Sequence, residues 1–287
     1  MSANNPQKPL AVITGAANGI GAALVAQAVL RGYRVLASDV DDAALQVAWG
    51  GHDDVDSHVT DVTDADQVAG LADTAFDMAD QVALLFNNAG VMKTGFLWEF
   101  SLDDWRWMTD VNYWGVVHGI HHFVPRMIEA AKQHDAPAHI VNTCSIAGLT
   151  VTPNSGIYGA TKQAVTAITE GLLYELRYYK APIGVSALCP GPIRTRIAEW
   201  DRYGKADEGA HAAYGQDRLK NLLASDGMAP DVLARFTFDA IGEDRFWILP
   251  HDHFKTALGM RVKSIMDETN PSFRSIVERE DAEKKKD

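Results

Sequence analysis

Tyr158 and Lys162 stand four residues apart in the run YGATK, thirteen residues beyond Ser145. Residues at that spacing share one face of a helix, so a phenol and an ammonium would project together. An ammonium beside a phenol favours the phenolate and lowers its pKa. Far upstream, TGAANGIG at residues 14–21 gathers Gly15, Gly19 and Gly21 in one short loop. A tyrosine that exchanges a proton near neutrality, close to a bound dinucleotide, is the equipment of hydride transfer. Taken alone, YxxxK is also the spacing of an ordinary surface pair on a helix, and three glycines could make only a tight turn.

The elements that must position these residues bear on the choice. Leu10 to Thr14 is a short apolar run of the kind that makes a buried parallel strand, and Ala22 to Leu30 is rich in helix formers. Strand, glycine turn and helix together let backbone amides and a helix N-terminus receive a pyrophosphate. The spacing is G-x-x-x-G-x-G rather than G-x-G-x-x-G, so the general dinucleotide fingerprint does not strictly apply. Eighteen residues past Gly21, the second apolar run ends at Asp39. A carboxylate there can accept hydrogen bonds from the adenosine ribose and would repel a 2′-phosphate. Ala16, Ala17 and Val40 carry no positive charge to offset that repulsion, so NAD is expected over NADP. The alternative is that Asp39 only begins a solvated turn with Asp41 and Asp42.

Apolar runs at 10–14, 33–38, 55–60, 82–86, 138–143, 183–189 and 245–249 predict about seven strands. Helical patterns at 22–31, 64–79, 103–131, 157–180 and 231–242 fill the intervals. Alternation of this kind, with right-handed crossovers, predicts an α/β fold: a doubly wound, Rossmann-like parallel sheet with helices on both faces. No repeat or composition shift marks a second domain, so residues 1–287 are expected to form a single dinucleotide-binding and catalytic domain. Residues 194–229, polar and without a clear period, predict a substrate-loop insertion. A C-terminal helical extension is expected near 254–287, its end EREDAEKKKD reading as a solvated or frayed helix end.

Net charge is −12, which disfavours nucleic acid or an anionic membrane as partner. It does not disfavour a dinucleotide whose phosphates are held by backbone amides. No apolar stretch approaches the roughly 18 residues a membrane helix needs, and MSANNPQKPL has no apolar signal core. A cytoplasmic location is the expectation. Cys144 and Cys189 are too few for a disulfide scaffold and fall at expected strand ends, where buried structural thiols are at home.

With these residues in view, the chain resembles the short-chain dehydrogenase/reductase family, in its shorter, single-domain branch, over roughly residues 8–250. TGAANGIG resembles the family's cofactor loop, which implies contacts from Gly15, Asn18, Gly19 and Ile20. Asp61 in TDVTD, with Val62 beside it, matches the position that meets the adenine. NNAG, with Asn88, Ala89 and Gly90, matches the segment closing the fourth strand beside the cofactor. PGPIRT resembles the segment that packs on the nicotinamide, implying contacts from Pro190, Gly191, Ile193 and Thr195. Asn112 in VNYWG, Ser145 in CSIAG, Tyr158 and Lys162 match the family's catalytic tetrad. The resemblance implies that Tyr158 is the acid/base and Ser145 positions the substrate oxygen. It implies that Lys162 lowers the phenol pKa and grips the nicotinamide ribose, while Asn112 relays protons through a held water. Asn112 could instead brace a bend in its helix. Cys144 departs from the family, where a second serine is common. A homodimer or homotetramer seamed by the two long helices is implied as well.

Val91, Met92, Ile146, Leu149, Val151, Ile157 and Ile193 are expected to face the substrate together with the 194–229 segment. They are apolar, and no paired arginines await a carboxylate or phosphate. The expected partner is a small-molecule secondary alcohol or ketone, bulky and aromatic or alicyclic. Epimerisation or dehydration through a transient ketone would use the same residues, and a non-catalytic NAD sensor would share the loop. His118, His121 and His122 in HGIHH have helical spacing that could seat a metal, but no nearby Cys or carboxylate completes a site, so no metal is expected. Trp98, Trp105, Trp107 and Trp114 are expected to fill core or interface.

Overall fold

Each of the seven apolar runs forms a strand of one parallel sheet: β1 (Leu10–Thr14), β2 (Arg34–Asp39), β3 (Val55–Val59), β4 (Val82–Asn87), β5 (Ala138–Thr143), β6 (Ile183–Leu188) and β7 (Trp247–Ile248). The structure is a computed structural model and describes residues 8–134, 136–205 and 210–271. Strand order is β3-β2-β1-β4-β5-β6-β7, so the winding reverses between β1 and β4. In such sheets the crevice for a ligand opens beyond the carboxyl ends of those two strands.

Alternation along the strands decides which layer each side chain meets. Leu10 and Val12 of β1 point into a core built with Val68 and Leu71, Phe123 and Met127, and Leu172 and Leu176. These come from α3 (Ala65–Met78), α5 (Gly115–His134) and α6 (Gly156–Tyr179). Ala11 and Ile13, one step along, point to the other face, against Leu24 and Ala28 of α1 (Gly19–Leu30) and Leu233 and Phe238 of α8 (Pro230–Gly242). Burying a Leu or Phe of this kind contributes about 1.5–3 kcal/mol, which explains why both faces of the strands read as continuous apolar runs.

Three elements differ from expectation. A helix α2 (Asp42–Trp49), not among the expected elements, follows Asp39 and is capped by Asp41, which accepts from Ala44 N at 3.0 Å. The helix expected over 103–131 is divided into α4 (Leu102–Thr109), a π-helical turn Asp110–Trp114, and α5. The 194–229 segment has regular structure among its described residues. It contains a 3-10 turn Trp200–Tyr203 and a helix α7 (Ala210–Ser225).

The chain divides into two compact units, residues 1–250 and 251–287. The second contains α9 (Phe254–Met266), inside the expected C-terminal extension; EREDAEKKKD lies outside the described residues. Among the described residues no helix is long and apolar enough to cross a membrane.

Candidate active site

The β1 loop and the β4 loop are tied to each other before any ligand is considered. Thr14 Oγ1 accepts from the amides of Asn88 (2.9 Å) and Ala89 (3.1 Å), while Asn88 Nδ2 donates to Thr14 O at 2.9 Å. Thr143 Oγ1, from the end of β5, donates to Asn88 Oδ1 at 3.1 Å. Gly15 has φ +64°, and a Cβ there would stand 2.8 Å from Ala89 Cα. A Cβ on Gly21 would fall 1.9 Å from Gly15 O, so the loop closes on itself only with glycine at these positions. Asn18 is the N-cap of α1 but makes no side-chain cap bond, and no acidic residue sits in the first turn. A glycine cradle at an uncapped helix N-terminus fits the pyrophosphate of a dinucleotide.

Apart from Ile20 in α1, the remaining expected cofactor positions follow the ends of β2, β3 and β6. Asp39 Oδ2 accepts from Ala17 N at 3.0 Å, which brings the carboxylate onto the glycine loop. Ile20 packs against the α1 core and Val62 against Gly115 at the start of α5. Asp61 is turned toward Thr63, accepting from its amide at 2.9 Å and its hydroxyl at 2.8 Å. Beyond β6, Pro190 O accepts from Ile146 N at 2.9 Å and Ile193 is buried beside Met228. Thr195 reaches the cradle itself, its Cγ2 3.1 Å from where a Cβ on Gly19 would be.

The tetrad residues come together at the carboxyl ends of β4 and β5. Ser145 caps a 3-10 turn, accepting from Ala147 N at 3.1 Å, and its hydroxyl stands near enough to the Tyr158 phenol to lower its pKa. Lys162 Nζ lies 5.8 Å from the centre of the Tyr158 ring. A Cβ on Gly90 would sit 3.3 Å from Asn112 Oδ1 and 3.4 Å from Lys162 Nζ, so this glycine lets the two approach. The Asn112 side chain braces the main chain: Oδ1 accepts from Val91 N (2.8 Å) and Nδ2 donates to Val91 O (2.9 Å) and Thr161 Oγ1 (3.1 Å). The π-helical turn carries this brace; its sequence signal is an asparagine, a weak helix former, inside a long helical run.

The electrostatics reverse one expectation. Lys162 is buried and aims Nζ at Thr143 O, 2.7 Å away, rather than at the phenol oxygen. Burial pushes Lys162 down to about 8, with Cys144 and Cys189 acting in the opposite sense. Although Tyr158 keeps part of its surface accessible, loss of solvent pushes its phenol up to about 12. The Ser145 hydroxyl opposes that rise, and Cys144 and Cys189 add to it. Both thiols are buried at the adjoining ends of β5 and β6, with Cys144 Sγ 4.0 Å from Thr169 Oγ1. Burial therefore outweighs Ser145, and the phenol pKa stands above its ordinary value.

Sequence reading expected an insertion at 194–229 but missed its helix α7 and the apolar cluster it joins. Trp200 is 1% exposed in a small cluster with Ala198 and Leu223. Gln216 Nε2 of α7 donates to Ala198 O at 2.8 Å, and Thr94 Oγ1 donates to Ala212 O at 3.4 Å. Trp107 of α4 touches this cluster and also the one formed by Val91, Met108 and Ile157. A cleft of about 610 Å³ is lined both by this segment and by the glycine loop, with Asn18, Gly19, Arg194, Thr195, Arg196 and Glu199 among its walls. Of the expected substrate-facing residues, Val91, Ile157 and Ile193 are core, whereas Val151 is exposed. His118 donates through Nδ1 to Val62 O at 2.9 Å, away from the edge-on pair His121 and His122. Among the described residues no cluster of three His, Cys, Asp or Glu could hold a metal.

A family model described as short chain dehydrogenase matches residues 9–205. The 1-deoxy-11-beta-hydroxypentalenate dehydrogenase of Streptomyces avermitilis is 34% identical over 260 residues, spanning 88% of each chain. A CLA biosynthesis dehydrogenase/reductase of Lactiplantibacillus plantarum is 31% identical, over 90% of this chain and 93% of that protein. Among solved structures, a short chain dehydrogenase/reductase from Burkholderia phymatum in complex with NAD superposes with a TM-score of 0.87. It is 37% identical and the match covers 93% of this chain and 97% of that one.

Proposed function

The chain belongs to the short-chain dehydrogenase/reductase family, and we propose that it is an NAD(H)-dependent oxidoreductase interconverting a bulky, apolar secondary alcohol and its ketone. The observation that carries this reading is the convergence of Ser145, Tyr158 and Lys162 beside a glycine cradle tied to the same strand ends. The NAD complex of the Burkholderia phymatum relative supports the cofactor, and Asp39 on the glycine loop supports NAD over NADP. In this reading Gly15, Asn18, Gly19 and Ile20 receive the pyrophosphate and Asp39 the adenosine ribose. Asp61 and Val62 border the adenine, while Asn88, Ala89, Gly90, Pro190, Gly191, Ile193 and Thr195 border the nicotinamide end.

NAD+, when bound, supplies a hydride acceptor and a positive charge. Ser145 donates a hydrogen bond to the substrate oxygen and fixes its position. Tyr158 takes the hydroxyl proton during oxidation and returns it during reduction. Bringing the phenol from about 12 to about 7 requires roughly 7 kcal/mol of differential stabilisation. Lys162, held by Thr143 O, contributes an ammonium to that sum and grips the nicotinamide ribose, with Asn112 beside it on the proton path. The 194–229 segment serves as the substrate cover, and Trp114, Tyr174 and Tyr178, exposed on the π-helical turn and α6, form a seam with a second copy.

The test is NADH consumption across ketones of increasing bulk, repeated with NADPH. Turnover that rises with apolar bulk and prefers NADH is expected. Cofactor binding without turnover on any carbonyl, or product epimerised without net NADH change, would overturn the dehydrogenase reading.

A further inference from the structure

Tyr158 is the third residue of α6, so the point at which that helix starts fixes where the phenol stands. The helix does not secure its own start. Its N-cap, Ser155, makes no side-chain cap bond. The Ser155 hydroxyl is spent on Thr152, donating to the carbonyl at 3.1 Å and lying 2.6 Å from the Thr152 hydroxyl. The loop that follows β4 holds the helix start from outside. Gly95 N donates to Asn154 O at 3.0 Å, and Gly95 pairs with Ser155 in a parallel bridge. Leu97 lies over Gly156, where a Cβ would fall 2.3 Å from Leu97 Cδ2.

The same loop is anchored at Lys93, two residues before Gly95. Lys93 Nζ donates to Asp104 Oδ1 of α4 at 3.1 Å, and the two side chains are only 10% and 9% exposed. Asp104 uses both oxygens. Oδ2 accepts from the Ser101 amide at 3.2 Å and from its hydroxyl at 2.8 Å, while Ser101 Oγ accepts from Asp104 N at 3.1 Å. The carboxylate that closes the cap of α4 is therefore also the one that takes the lysine. Met108, one turn along the same face of α4, is fully buried against Val91 and Ile157, the neighbour of Tyr158. α4, the β4 loop and the first turn of α6 form one connected wall.

We propose that Lys93 and Asp104 are positioning residues for the acid–base step, an inference that rests on the dehydrogenase reading. Their pair fixes the loop after β4, and the loop fixes the start of α6 and with it the Tyr158 phenol. Neither residue exchanges a proton with the substrate. Desolvation offsets much of the attraction in a buried ion pair, so this one serves geometry more than net stability. Cofactor affinity, set at the glycine cradle and by Asp39, does not depend on it.

The test compares the full chain with Lys93→Met and with the double variant Lys93→Met/Asp104→Leu, an apolar pair of similar volume. Lys93→Met leaves a buried carboxylate without its partner and should melt lower; the double variant should recover the melting temperature. Single-turnover hydride transfer, on the ketone that the wild type reduces fastest, should stay about tenfold slow in both, as a slightly misplaced acid requires. NADH affinity should not change, and deuterium exchange at the Gly95 amide should quicken in both. If Lys93→Met does not fold, the double variant carries the comparison. A wild-type rate in the double variant, or rates that simply follow the melting temperature, would overturn the positioning role and leave the dehydrogenase reading standing. A wild type that reduces no ketone would remove that reading, and unchanged Gly95 exchange in the double variant would then overturn the tether by itself.

Discussion

Lys162 donates through Nζ to the main-chain carbonyl of Thr143 at 2.7 Å, two residues before Ser145. The lysine shares a helix face with Tyr158, yet its charge is directed at the end of β5, where it sits among Ser145, Asn112 and Gly90. Burial holds it near 8, so the ammonium is present at neutral pH and lost above that value. NADH affinity should therefore weaken between about pH 7 and pH 9. Fluorescence titration should show the slope in the wild type and a flat profile in Lys162→Met. A flat wild-type profile would remove Lys162 from the cofactor site.

Tyr158→Phe should keep NADH binding and lose turnover by at least about 100-fold, the range for a removed acid–base group. The phenol hydroxyl beside Ser145 is lost with little change in packing. Stopped-flow measurement of hydride transfer gives the answer, and near-normal rates would refute the acid–base role.

Asp39→Ala should narrow the preference for NADH over NADPH, because the carboxylate that repels a 2′-phosphate is gone. It should also cost about 1 kcal/mol of stability through the hydrogen bond from Ala17 N. Asp39→Asn keeps an acceptor for that amide without the charge, so it should relax the cofactor preference with a smaller loss of melting temperature. Unchanged kcat/KM for both cofactors in both variants would mean that Asp39 is not the selector.

Gly215→Ala tests the seating of α7. A Cβ there would stand 2.6 Å from Thr94 Oγ1 and 3.0 Å from Thr94 Cβ, too close without movement of the helix. Substrate KM should rise severalfold, and the double variant with Thr94→Ala, which removes the nearest atom, should recover much of the loss. Equal KM values in all three proteins would show that α7 does not border the substrate.

His139 makes stability depend on pH. Burial pushes its imidazole down to about 4, only partly offset by Asp244, and its Nε2 is 2.8 Å from Ser186 Oγ. Ser186 Oγ donates onward to Arg245 O at 2.7 Å, so Nε2 carries the proton and donates. Between about 6.5 and 4 the unfolded chain binds a proton that the folded chain does not, so stability falls as pH falls through that window. The full effect is roughly 3 kcal/mol, reached below about pH 4. Urea midpoints at pH 7 and pH 5 should converge more in His139→Gln than in the wild type. An equal loss in the two proteins would assign the acid sensitivity elsewhere.

The inner strands were legible because they are covered on both faces, which leaves an apolar run in the sequence; the edge strand β3, half exposed, left a weaker one. β7 was read too long because only Trp247 and Ile248 find a partner on β6. α2 was hidden by its own N-cap: Asp41 and Asp42 look like a turn until Asp41 is seen to accept from Ala44. α7 was hidden because Tyr214 and Leu222 stay exposed while Leu223 is buried, which erases the period. The tetrad was legible as spacing, since residues four apart share a face, but spacing cannot say where a flexible lysine ends. Thr143, the acceptor that takes Lys162, offers no signal beyond its place at a strand terminus. Asn112 is the instructive case, because a brace on Val91 and an approach to Lys162 are met by the same side chain.

Trp200 gathers Ala198 and Leu223 into a nucleus of its own, apart from the clusters that line the sheet. Under the proposed function, a segment with a private interior works as a cartridge: its outer residues could be exchanged for another clientele of molecules without unsettling the machinery beneath. Trp107, rooted in both interiors, is the hinge pin such an exchange would have to leave in place.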